Sequence, residues 1–142
     1  MKVLIGFDIL LSYLLNVNYS DGTNLLFSWI NRIGARKFTD AGSLMILTHF
    51  VPINDFTRLQ GFDIIKKNDI MHPEIRFLNN SISRFEINSK EDFRALLMQL
   101  NLLFTDKVDL LVTENVKIHE FANTLNIGYK VYTIEEYRAL YN

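Results

Sequence analysis

Apolar positions recur along this chain with two alternating periods, and the switches between them lay out the elements. Val3 to Phe7 is a short apolar run, the pattern of a strand covered on both faces of a parallel sheet. Asp8 opens a helical pattern that runs to Leu15, and Asn16 to Gly22 is a loop rich in turn residues. Leu25, Leu26, Trp29, Ile30 and Ile33 then fall on one helical face, which Gly34 ends as a C-terminal glycine does. A brief strand at Lys37 to Thr39 leads into a helix from Ala41 to Phe50, stopped ahead of Pro52.

Ile53 to Asn80 mixes apolar and charged residues without a clean period and reads as helix with loops. Phe85, Glu86 and Ile87 form an edge strand, and Phe93, Leu96, Leu97, Leu100, Leu103 and Phe104 make a core stripe at helical spacing. Asp109 to Thr113 is the next strand; Ile118, Phe121, Ala122 and Leu125 line the helix after it. Tyr129 to Thr133 is the last strand and Ile134 to Leu140 the last helix, with Thr133 and Glu136 at capping-box spacing. Strands alternating with helices predict a three-layer α/β/α fold with a central, mainly parallel sheet and right-handed crossovers. In such sheets ligands sit at the carboxyl ends of the strands, which makes Thr113-Glu114-Asn115 the segment to watch.

Composition narrows the classes. The chain has 142 residues, 49% hydrophobic and 22% charged, which fits one folded domain over residues 1–142. A formal net charge of -1 gives no global attraction to nucleic acid, so phosphate contacts would need a local patch of Lys and Arg. With no cysteine, disulfides, zinc thiolates and cysteine nucleophiles are excluded. Asp8 interrupts the apolar N-terminal run, which is too short for a membrane span, and no small-residue cleavage site follows it. A cytoplasmic protein is the expectation.

The C-terminal third carries a family resemblance. Val108-Asp109-Leu110-Leu111-Val112-Thr113-Glu114-Asn115-Val116-Lys117-Ile118-His119, then Leu125-Asn126-Ile127-Gly128 and Val131-Tyr132-Thr133-Ile134-Glu135-Glu136-Tyr137, resembles the end of PIN domains. That family includes the toxin nucleases of toxin-antitoxin modules. Val3-Leu4-Ile5-Gly6-Phe7-Asp8-Ile9-Leu10-Leu11 is similar to its opening strand and first helix, so the likeness runs the length of the chain and is weakest from Val51 to Asn80. The resemblance implies a magnesium- or manganese-dependent ribonuclease in which acidic side chains hold the cations that activate water.

Four acidic positions of that family find their counterparts here. The first falls on Gly6, which has no ligand atom in a side chain, and Asp8 falls on the supporting position after it. Asp8 reads as a helix N-cap, with a reach back toward a cation as the second reading. The second falls near Met45, which reads as a core residue, while Asp40 reads as the cap of that helix. The third is Asp92, which also stands at capping spacing from Ser89. The fourth is Asn115, a neutral oxygen in place of a carboxylate, with Glu114 pointing elsewhere on the turn and Asp109 at the far end of the strand.

One expected ligand of four is therefore retained, which favours a degenerate site with weak or no nuclease activity, no cofactor, and a role as a binding module. The alternative is an active endoribonuclease with a rearranged cluster of Asp8, Asp92, Asp109 and Glu114, the four carboxylates converging on one metal coordination sphere. In an active protein Asp92, Asp8 and Glu114 would be catalytic, and Asp8, Asp92 and Asn115 would hold magnesium or manganese. A homodimer, an antitoxin or other protein partner, and RNA are the partners considered; a membrane is not. Arg32, Arg36 and Lys37, and Arg58, Lys66 and Lys67, read as solvated charge; His49, His72 and His119 lack metal-ligand spacing. No glycine-rich phosphate loop follows the first strand.

Overall fold

A computed structural model describes residues 1–18, 20–65 and 99–141. Among them five parallel strands form one sheet in the order β3-β2-β1-β4-β5. The strands are β1 (Lys2–Ile5), β2 (Arg36–Asp40), β3 (Asp63–Ile65), β4 (Leu110–Val112) and β5 (Val131–Tyr132). The helices are α1 (Phe7–Leu15), α2 (Ser20–Arg32), α3 (Ala41–Leu47), the helical residues 99–104 as α4, α5 (Val116–Thr124) and α6 (Ile134–Tyr141). Short 3-10 segments cover Ile53–Leu59 and Gly128–Lys130.

The strands are buried on both faces because helices cover both. Val3 and Ile5 of β1 and Leu110 and Val112 of β4 point into a core shared with Ile9 and Leu10 of α1, Leu26, Trp29 and Ile30 of α2, and Tyr137 of α6. Leu4 and Leu111, one residue out of phase, join Leu100 and Leu103 of α4 and Ile118 and Phe121 of α5 in the second core. This period-two division of one strand between two cores is the expected consequence of strand geometry, and it makes the three-layer α/β/α architecture.

Several local expectations are corrected by tertiary contacts. α2 begins at Ser20, so the loop is shorter than Asn16 to Gly22; Gly22 lies inside the helix, where a methyl group would sit 3.6 Å from Ile134 of α6. Leu26, Trp29 and Ile30 are buried, whereas Leu25 lies on the flank of that face and Ile33 falls past the last helical residue, and both are exposed. Gly34 does end the helix, with φ +71. α3 stops at Leu47 and buries Gly42, Ser43, Ile46 and Leu47, which turns Met45 outward at 49% exposure instead of into the core. Within the segment read as helix with loops, Asp63–Ile65 pairs in parallel with β2. Tyr129 and Lys130 belong to a 3-10 turn, leaving only Val131 and Tyr132 in β5. Phe85 to Ile87 and Phe93, Leu96 and Leu97 lie outside the described residues.

Tyr137 shows a local cost of this packing. Its side chain is fully buried, and its hydroxyl has no hydrogen-bond partner among the described residues. Burial pushes the phenol up to about 12. Tyr137→Phe removes the stranded hydroxyl while keeping the ring, so it is expected to stabilise the protein by about 1 kcal/mol. A urea midpoint lower than that of the parent protein would show that the hydroxyl is satisfied after all.

Candidate functional site

The chain leaves β1 for β2 and β3 on one side, then crosses back to β4 and β5 on the other, so the order reverses between β1 and β4. At such a reversal the carboxyl ends of the two strands leave a crevice between their outgoing segments, which is where open parallel sheets take their ligands. Here that position lies between Gly6 to Asp8 and Thr113 to Asn115.

Gly6 is the N-cap of α1, and its amide donates to the Val112 carbonyl at 2.8 Å. A Cβ placed on it would stand 2.7 Å from Asp8 Oδ1, 2.8 Å from Thr113 Cβ and 2.8 Å from the Val112 carbonyl oxygen. Asp8 is thus inside the first turn of α1 and is not its N-cap, contrary to the capping expectation. Its carboxylate reaches across to the end of β4 instead. Thr113 Oγ1 donates to Oδ1 at 2.8 Å and the Glu114 amide donates to Oδ2 at 2.9 Å. Burial raises the pKa of Asp8, and the bonds from Thr113 and Glu114 offset part of that shift.

The residues after β4 are also engaged. Asn115 caps α5, its Oδ1 accepting from the amides of Lys117 at 3.0 Å and Ile118 at 3.3 Å. Glu114 Oε1 accepts from the Ile134 amide at 2.9 Å, so this carboxylate caps the last helix from 20 residues away. Thr133 Oγ1 accepts from the Glu136 amide at 3.1 Å, the forward half of the expected capping box. His119 Nε2 lies 2.7 Å from the Thr113 carbonyl oxygen, and because a carbonyl only accepts, that nitrogen is the donor.

Asp40 ends β2 and caps α3 as expected, fully buried, with Ser43 bonded to both of its oxygens. Asp109 lies at the opposite end of the sheet, where its carboxylate accepts from the Lys2 amide at 2.7 Å. Asp8 and Asp109 therefore do not converge. Asp92 lies outside the described residues, as do Ser89, His72, Lys66 and Lys67.

A hard divalent cation needs several oxygens facing one point. Among the described residues no group of three His, Asp or Glu side chains could hold one. The oxygens of Asp8 and Asn115 and one oxygen of Glu114 are held by the chain's own donors, and Gly6 has no room for a side chain. As arranged, these described side chains form no ready-made magnesium or manganese site; Asp92 lies outside them. Three of the basic groups are similarly engaged. Arg36 pairs with Asp63 at 3.0 Å, Lys37 donates to Asn31 at 2.6 Å, and Arg58 lies over the Tyr13 ring and donates to the Leu14 carbonyl oxygen.

The bonds from Asp8 to Thr113 and from Glu114 to Ile134 left no local trace in the sequence. They join residues 105 and 20 positions apart and arise only once β1, β4 and β5 lie side by side. The sequence reads His119 only as a histidine without metal-ligand spacing. No helix among the described residues is long and apolar enough to cross a membrane. No family model, no curated protein and no solved structure matches this chain.

Proposed function

We propose that this chain is a PIN-like protein with a degenerate acidic site, acting as a binding module and not as a ribonuclease. The observation that carries this reading is the closed wall at Gly6. At the position where the resembling family carries its first metal-binding aspartate, a side chain would collide with the Val112 carbonyl and with Thr113. The parallel sheet, with its order reversing between β1 and β4, supports the fold side of the resemblance. The self-engaged Asp8, Glu114 and Asn115 support the loss of cation chemistry.

The test is an RNA-cleavage assay in manganese with the full chain, run beside Asp92→Asn and paired with calorimetric titration of manganese alone. No cleavage above buffer and no saturable manganese uptake are expected. Cleavage by the parent chain that disappears in Asp92→Asn would replace this reading with that of an active endoribonuclease.

A further inference from the structure

We draw no further inference here: the strongest candidate, the apolar groove between α3, the 3-10 segment Ile53–Leu59 and β3, lined by Leu44, Phe56, Leu59, Phe62 and Ile64, carries none because nothing in the structure shows what covers it.

Discussion

Gly6→Ala is expected to destabilise the protein by about 3 kcal/mol, at the upper end of the usual cost of overpacking a close-packed site. Two of the three atoms its methyl would meet, the Val112 carbonyl oxygen and Thr113 Cβ at 2.8 Å each, belong to the backbone and Cβ frame of β4 and the residue after it, so they cannot swing aside as a long side chain would. Relief requires β1 and β4 to separate, and that movement strains the bond from the Gly6 amide to the Val112 carbonyl. The apparent melting temperature should drop by about 10 °C. Gly6→Asp should fare no better, and no manganese site should appear with it, since the added carboxylate would have to displace Asp8. A stable Gly6→Asp protein that takes up manganese would mean that the crevice opens at little cost and that the proposed loss of cation chemistry rests on one substitution.

Asp8→Ala should cost about 2–3 kcal/mol by a different route. Nothing collides; the Thr113 hydroxyl and the Glu114 amide both lose their acceptor in a part-buried place, and a stranded donor carries most of its desolvation cost. Asp8→Asn retains one carbonyl oxygen and should recover part of the loss. The two variants separate a structural role from a catalytic one. If Asp8 served only a cation, both would leave the denaturation midpoint in metal-free buffer where it was. A shift larger in Asp8→Ala than in Asp8→Asn is the signature of a strut between α1 and the end of β4.

Gly6 and Asp8 change how the acidic residues at the carboxyl edge are understood. Asp8, Asp40 and Glu114 all lie near strand ends, and each is bonded to a backbone amide of this chain. Amides at helix starts attract anions, and here the protein's own carboxylates take that place at α3 and α6. That leaves an edge suited to holding elements together.

How much of this was legible depends on the distance over which each feature is determined. The alternation of Val3, Leu4 and Ile5, the stripe of Leu26, Trp29 and Ile30, the Gly34 stop and the Asp40 cap all follow from side-chain periodicity and local bonding within a few residues. Met45 reads as core from the sequence yet is exposed, because its exposure depends on which side of α3 meets the sheet, and a seven-residue helix shows too few turns to declare that side. Asp63–Ile65 carries no strand signal in the sequence, because three residues hold no measurable period; they form a strand because β2 offers them an edge. The strand-helix alternation, and the residues Gly6 and Asn115 on which the proposed degenerate site rests, are written in the chain itself, since both are properties of residue type and local order. That Gly6 is walled in and that Asp8 and Glu114 are already bonded follows from the packing of the sheet. Those facts come from β1, β4 and β5 lying side by side, where contacts between residues 20 to 106 positions apart are set by sheet geometry and by no local preference of the chain.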